Sequence, residues 1–243
     1  MKIYKFKDLT DEKKRPHFYQ MVLHNSMWCA KPGSLNDEME FDFKLNYAPS
    51  VHTANLLSQV VKRYRTTDYF PPDLSVSFVM QHKQLEEITV PIIEQMISNC
   101  RDTIGITSFS ATKNSDHLWK EYGGNGNGAC IEIEISDEVI KDRYHQVCYV
   151  PEKVFHIDSF LESALFPEKA YETFRNLLLT KTNTWKREKE IRFVSKMPEV
   201  NAIFDGRITE IILGANIPAN AMNQVEETIN NHCRLNGIII TVI

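Results

Sequence analysis

The sequence predicts an α+β fold in which a mixed or split β-sheet carries helices at its ends and on its faces. Segments that alternate polar and apolar residues, such as 2–6 and 128–135, predict strands, whereas apolar residues recur at helical spacing within 53–65. No Gly/Ser tract, proline-rich run or long block of like charge interrupts the 243 residues, so we expect a single domain that spans residues 1–243.

Local signals support each predicted element. Asn114 or Ser115 can cap a short helix that glycine ends, and Pro91 and Pro167 predict interruptions in two long helical stretches. The sequence predicts strands at 2–6, 26–30, 103–110, 128–135, 144–150, 185–194, 208–215 and 237–243, and helices at 11–25, 53–65, 85–98, 114–124, 159–180 and 220–233.

Charge and cysteine content restrict the function. The net charge of −4 and the pI near 6.1 argue against binding of a nucleic-acid backbone as the main purpose, although they allow a local basic groove. No apolar run is long enough to span a bilayer, and the first residues lack the apolar core of a secretory signal. The five cysteines are scattered and never spaced as CxxC, which predicts reduced thiols. We therefore expect a cytoplasmic bacterial or phage protein without membrane association.

The segment WKREKEIRFV, residues 185–194, contains the sharpest candidate site. In a strand, Glu188, Glu190 and Arg192 lie on one face, because successive side chains alternate. Two neighbouring carboxylates raise at least one pKa when they are partly buried, and a guanidinium beside them opposes that change. An ordinary solvated strand face with a weak ion pair explains the same pattern.

Two further segments carry side chains suited to ligand binding. Ser108 and Ser110 share a strand face and can orient a substrate, although serines are also common where a strand leaves a sheet. Trp119 and Tyr122 lie three residues apart on a short helix and can flank a planar group, while core packing is the simpler explanation of Trp119. The glycines at 123–128 follow a helix and precede a strand, which is the reverse of a phosphate-binding loop.

Several catalytic classes leave no motif in the sequence. It contains no GxSxG, HExxH, Walker or Rossmann signature. Asp37, with the acidic residues that follow it, could bind a divalent metal, but no histidine lies close and the spacing is not that of an EF-hand. We therefore expect no metal site.

Several segments, taken in order, resemble a bacterial domain-of-unknown-function family, family 2971. The matching segments are IYKF (3–6), MWCA (27–30), SLNDEME (34–40), TSFSAT (107–112), HLWKEYGGNGNGACIEIEI (117–135), WKREKEIRFV (185–194) and ITEIILGANIP (208–218). Glu38 and Ile191 depart from the family pattern, which usually has proline and tryptophan there. The family implies no biochemical activity by itself.

The order of a first strand with a polar anchor, a strand with serines and a strand with Glu-x-Glu is similar to that of the ADP-ribosyltransferase toxins. The similarity implies an ADP-ribosyltransferase-like split sheet that binds NAD without Rossmann glycines. Glu190 would hold the nicotinamide ribose and stabilise positive charge at the anomeric carbon, while Glu188 would orient or deprotonate the acceptor.

The remaining roles implied by this similarity concern NAD binding. The toxins have arginine or histidine on the first strand, where this chain offers a tyrosine and two lysines. The expected NAD-binding residues are Tyr4, Lys5, Ser108, Ser110, Trp119, Tyr122 and Arg192.

Three functional hypotheses remain open at this point. The first is an effector or toxin that transfers ADP-ribose from NAD to a protein or nucleic acid, as in phage defence, and that has a neutralising partner. The second is a non-catalytic module that binds a nucleotide or a partner protein in a defence or regulatory system. The third is a metal-dependent nuclease built on Asp37, Glu188 and Glu190.

Overall fold

The structure, a computed structural model, describes residues 1–35, 40–48, 50–63 and 82–243. Its helices are α1 (Arg15–His24), α2 (Val51–Arg63), α3 (His82–Thr103), α4 (Asp116–Glu121), α5 (Asp137–Arg143), α6 (Ile157–Leu165), α7 (Pro167–Leu178) and α8 (Ala219–Asn236). Its strands are β1 (Lys2–Asp8), β2 (Ser26–Cys29), β3 (Lys44–Asn46), β4 (Gly105–Ser110), β5 (Gly128–Glu134), β6 (Tyr144–Gln146), β7 (Cys148–Val150), β8 (Val154–His156), β9 (Thr180–Thr182), β10 (Glu190–Ser195), β11 (Val200–Ile203), β12 (Arg207–Leu213) and β13 (Ile239–Val242).

The chain divides into two compact units. The first comprises Met1–Ser34, Ile104–Cys148 and Thr184–Ile243, and the second comprises Leu35–Thr103 and Tyr149–Asn183. The predicted single domain over residues 1–243 stays a prediction.

The first unit contains a seven-stranded sheet with the strand order β13-β12-β5-β1-β4-β10-β6. Strands β12 and β13 are parallel, and the other neighbouring pairs are antiparallel. The predicted mixed sheet with flanking helices is therefore confirmed.

One face of this sheet forms the main hydrophobic core. The register pairs Ile3 with Ile133 and Ile191 with Phe109, so alternate positions of four strands supply apolar side chains to the same side. Buried residues of α1 and α8, among them Phe18 and Ile229, belong to the same cluster. Burial of this face against two helices provides the main driving force for folding of the first unit.

The opposite face combines a smaller apolar cluster with an ion-pair network. Phe6, Leu118, Cys130 and Ile212 are buried together there, below helix α4. Beside them the Glu132 carboxylate forms ion pairs with Lys2 at 2.5 Å and with Lys113 at 3.4 Å. Lys113 also pairs with Glu210 at 2.6 Å.

Strands β1 and β4 separate soon after they meet. Their registered pair is Tyr4 with Ser110. At its other end β4 pairs instead with Ala30, which follows β2: the Ala30 amide donates to the Ile106 carbonyl at 2.9 Å and the Ile106 amide returns a bond at 2.8 Å. The sheet therefore opens between β1 and β4, next to the strands that carry the predicted site.

The second unit is mainly helical. Residues of α2, α3 and α6 form its apolar cluster, and β3 pairs with β8 in parallel. The predicted break at Pro167 is confirmed, since α6 ends at Leu165 and α7 begins at Pro167. The predicted interruption at Pro91 is wrong, because α3 continues through this exposed proline and forgoes one backbone hydrogen bond.

Within the part of the chain that the structure describes, no helix is both long and apolar enough to cross a membrane.

Candidate functional site

Glu190 and Arg192 form a buried ion pair at the start of β10. Because they are two residues apart on one strand, their side chains share a face. Arg192 Nε donates to Glu190 Oε1 at 2.7 Å, and Arg192 Nη2 donates to Oε2 at 3.2 Å. Arg192 is fully buried and Glu190 is 4% exposed, so water is largely excluded from both charges. A bidentate pair of this kind fixes the carboxylate in one orientation.

Three predicted site residues align across neighbouring strands. The register of β1 with β4 pairs Tyr4 with Ser110, and the register of β4 with β10 pairs Ser110 with Glu190. Cross-strand partners point to the same face, so these residues form one row. Ser108 and Arg192 form the next row along β4 and β10. We call the set Tyr4, Ser110 and Glu190 the cross-strand row.

Glu188 does not lie on the strand, which corrects the sequence prediction. Residues Asn183–Glu188 form a 3₁₀ helix, and β10 begins only at Glu190. Lys189, between them, has a φ of 45°, a left-handed conformation that breaks strand alternation. The prediction that Glu188, Glu190 and Arg192 share one strand face is therefore wrong for Glu188.

The Glu188 carboxylate is nevertheless buried and held in place. The Tyr122 hydroxyl donates to Glu188 Oε1 at 2.7 Å. The Ser110 hydroxyl donates to the Glu188 carbonyl at 2.7 Å and accepts from the Thr112 amide. Ser110 therefore joins the cross-strand row to the turn that carries Glu188, and Tyr122 contacts the same turn through the Glu188 carboxylate.

His117 is a site residue that the sequence reasoning missed. Its Nε2 atom lies 3.7 Å from Glu188 Oε1, and it is buried without a hydrogen bond to any described residue. His117 and Tyr122 come from helix α4 and the residue that caps it, so one short element presents both to the same carboxylate. His117 belongs to the segment HLWKEY, but its proximity to Glu188 depends on the fold and cannot be predicted from an isolated histidine in the sequence.

Trp119 packs against the sheet. Its ring meets Phe6 edge-on, with centroids 5.3 Å apart and an interplanar angle of 90°, beside the apolar cluster of Cys130 and Ile212. This contact accounts for Trp119 as a packing residue.

Lys5 reaches the opening between β1 and β4 from the other face of the sheet. Its Nζ donates to the Ser108 carbonyl at 2.5 Å and lies 5.6 Å from the centre of the Phe109 ring. Burial lowers the pKa of Lys5 to about 8, against the opposing influence of the Glu190 carboxylate. On the site face, burial and the neighbouring Glu132 raise the pKa of Tyr4.

The described residues contain no group of three or more His, Cys, Asp or Glu side chains arranged to hold a metal ion. Asp37, the third member of the nuclease hypothesis, lies outside the described residues.

No protein-family model matches the chain, and no curated protein or solved structure matches it. The resemblance to family 2971 stays a prediction.

Proposed function

We propose that the protein transfers ADP-ribose from NAD to a macromolecular acceptor, a protein or a nucleic acid. The observation that carries the proposal is the cross-strand row Tyr4, Ser110 and Glu190, which lies where β1 and β4 separate. Glu188 stands beside this row on its own turn, fixed by Tyr122. A buried carboxylate next to an opening in a sheet can stabilise positive charge on a sugar.

The two carboxylates take different roles in this proposal. The bond between the anomeric carbon and the nicotinamide nitrogen breaks, and nicotinamide leaves with the electron pair. Glu190 stabilises the resulting positive charge at the anomeric carbon and binds the ribose hydroxyl. The acceptor atom then bonds to that carbon, and its proton passes to Glu188.

NAD binding uses the other residues that the sequence singled out. Tyr122 flanks the nicotinamide ring, and Ser108 and Ser110 support the ribose. A chain with this activity damages its own cell, so we expect a neutralising partner and a role as a toxin or phage-defence effector.

A non-catalytic binding module is the second candidate, and one observation favours it. Arg192 engages both oxygens of Glu190, so the carboxylate is already occupied by a buried cation. The same residues would then recognise a nucleotide or a partner protein without bond cleavage.

Labelled NAD incubated with the protein and a cell extract distinguishes the two candidates. The enzyme releases nicotinamide and labels macromolecules, and protease or nuclease digestion then identifies the acceptor class. The informative variant is Glu188→Gln, since glutamine keeps an oxygen for the Tyr122 hydroxyl, and its matched control is Glu121→Gln at an exposed position of α4.

We expect Glu188→Gln to lose about 10²-fold or more of the transfer rate and Glu121→Gln to lose none. Thermal stabilisation by NAD without nicotinamide release would favour the binding module. Absence of both NAD stabilisation and nicotinamide release would overturn the proposal.

A further inference from the structure

The Glu188 carboxylate has little direct access to solvent. Its side chain is 5% exposed, and the Tyr122 hydroxyl holds Oε1 at 2.7 Å. The Ser110 hydroxyl holds the backbone of the same residue through the Glu188 carbonyl, also at 2.7 Å. Both the side chain and the backbone are therefore fixed inside the site. In the proposed reaction this carboxylate receives the proton of the acceptor, and it must lose that proton before the next turnover.

His117 lies beside this carboxylate and has a nitrogen that forms no hydrogen bond. Its Nε2 atom is 3.7 Å from Glu188 Oε1, which is slightly longer than a hydrogen bond. The atom is buried, and no described residue forms a hydrogen bond with it. A buried nitrogen without a hydrogen bond destabilises a fold. Few such atoms occur in native structures, and each calls for an explanation.

The helix that carries His117 is held firmly against the sheet. Ser115 caps α4 by accepting from the Leu118 amide, and Leu118 is buried in the apolar cluster that contains Phe6. Trp119 packs edge-on against the same Phe6 ring. Because the residues on both sides of His117 are fixed by these contacts, its imidazole stays next to the carboxylate.

The His117 side chain is also more accessible to solvent than its neighbour. It is 13% exposed, against 5% for the side chain of Glu188. Because Nε2 itself is buried, the exposed part lies elsewhere in the side chain. One nitrogen of the imidazole thus faces the carboxylate, while another part of the residue contacts water. Imidazole is the side-chain group that gains and loses a proton most readily near neutral pH, so it is suited to pass a proton between the two.

We propose that His117 carries away the proton that Glu188 receives from the acceptor. The inference rests on the proposed transfer of ADP-ribose and adds a step to it. As the acceptor atom bonds to the anomeric carbon, its bond to hydrogen breaks and the proton passes to Glu188. A movement of roughly 0.5–1 Å brings Nε2 within hydrogen-bond distance of Oε1, and the proton then moves to Nε2. The imidazolium releases a proton to water, which leaves a carboxylate and a neutral imidazole, as at the start.

Turnover kinetics of the full chain separate this role from packing. The first turnover is measured with the protein in excess over labelled NAD in the cell extract, and later turnovers with NAD in excess. His117→Gln keeps a polar side chain of similar size that cannot carry a proton. We expect it to transfer label as fast as the wild type in the first turnover. Later turnovers should slow by about tenfold or more, because Glu188 stays protonated.

The matched control is His24→Gln, which replaces an exposed histidine at the end of α1 and is expected to slow neither phase. Added imidazole provides a readout that a packing role would not change. It can accept the proton from solution, so it is expected to speed the later turnovers of His117→Ala several-fold and to leave the wild type unchanged. The inference is overturned if His117→Gln turns over as fast as the wild type, or if imidazole fails to speed His117→Ala.

NMR of the histidine ring signals tests the contact without any catalysis. The His117 signal, identified by its loss in His117→Gln, is expected to shift in Glu188→Gln and to stay in place in Glu121→Gln. An unchanged signal in Glu188→Gln would overturn the inference alone. If the wild type releases no nicotinamide although this shift is present, the proposed function fails and the role of His117 fails with it, while the contact itself stands.

Discussion

Glu190→Gln perturbs the most deeply buried ion pair of the candidate site, and we expect it to lower stability as well as any activity. In the wild type both carboxylate oxygens accept from Arg192, which is fully buried. Glutamine offers the guanidinium one oxygen and turns its amide nitrogen towards the second donor. One charge-assisted hydrogen bond is thereby replaced by a contact between two donors.

The size of the effect follows from the burial of the pair. Removal of one partner of a buried ion pair destabilises a protein by about 3–5 kcal/mol. Because glutamine keeps the shape of the side chain and one hydrogen bond, we expect the lower value, about 3 kcal/mol. For a chain of 243 residues, each kcal/mol corresponds to a change of roughly 2–4 °C in Tm, so we expect a fall of roughly 6–12 °C.

Urea unfolding followed by circular dichroism measures the free energy of unfolding directly. The control is the double variant Glu190→Leu with Arg192→Met, which removes both charges and fills the space with apolar atoms. Its stability is expected to lie closer to that of the wild type, because replacement of a whole buried ion pair is often neutral. A Glu190→Gln protein that unfolds within about 0.5 kcal/mol of the wild type would refute the reasoning. If the loss is confirmed, activity measured on Glu190→Gln must be corrected for its folded fraction.

Three further predictions concern single residues. Lys7→Met is expected to stabilise the protein below pH 7, because burial lowers the pKa of Lys7 from 10.5 in the unfolded chain to about 7 in the folded protein. The charged ammonium then destabilises the fold by at most about 5 kcal/mol below pH 7, and this destabilisation fades as the pH rises from 7 to 10.5. Urea unfolding of both proteins at pH 6 and pH 9.5 measures the difference. Tyr122→Phe removes the hydroxyl that donates to Glu188 and should lower the free energy of unfolding by about 1.5–3 kcal/mol in the same assay. Cys148 is exposed and should react rapidly with a thiol reagent in the folded protein, whereas the four buried cysteines should react only after denaturation, as the time course of thiol titration will show.

Features of the fold that depend on local signals could be predicted from the sequence. The alternation within 128–135 yields a strand at Gly128–Glu134, and Ser115 caps α4 by accepting from the Leu118 amide at 3.3 Å. Pro167 begins a helix because its fixed φ suits the first turn. Each of these outcomes follows from neighbours within a few residues in the chain.

The position of Glu188 could not be predicted in this way. Strand alternation along REKEIR (187–192) would place Glu188 and Glu190 on one face, yet the left-handed conformation of Lys189 ends that alternation. Contacts distant in sequence hold this turn: the Ser110 hydroxyl bonds the Glu188 carbonyl across 78 residues, and Tyr122 bonds its carboxylate across 66. Tertiary contacts of this kind override a local pattern, and they cannot be predicted from a single sequence.

His117 and Lys7 escaped prediction for a related reason. From the sequence alone, a histidine in a short helix and a lysine in a first strand are expected to be ordinary surface residues. Only the fold shows which residues surround them. The register pairs Lys7 with the buried Ala129, and helix α4 directs His117 towards Glu188. Their chemical interest therefore depends on burial and neighbours, which composition does not contain.

The opening between β1 and β4 is the feature on which the proposed function depends. On one face Tyr4 begins the cross-strand row that ends at Glu190, and on the other Lys5 reaches across the same opening to the Ser108 carbonyl. If β4 continued to pair with β1 beyond Ser110, a backbone amide would take that carbonyl and Lys5 would have no place there. The lysine side chain therefore replaces a missing strand partner, and Lys5→Met should weaken the contact between the separated strands.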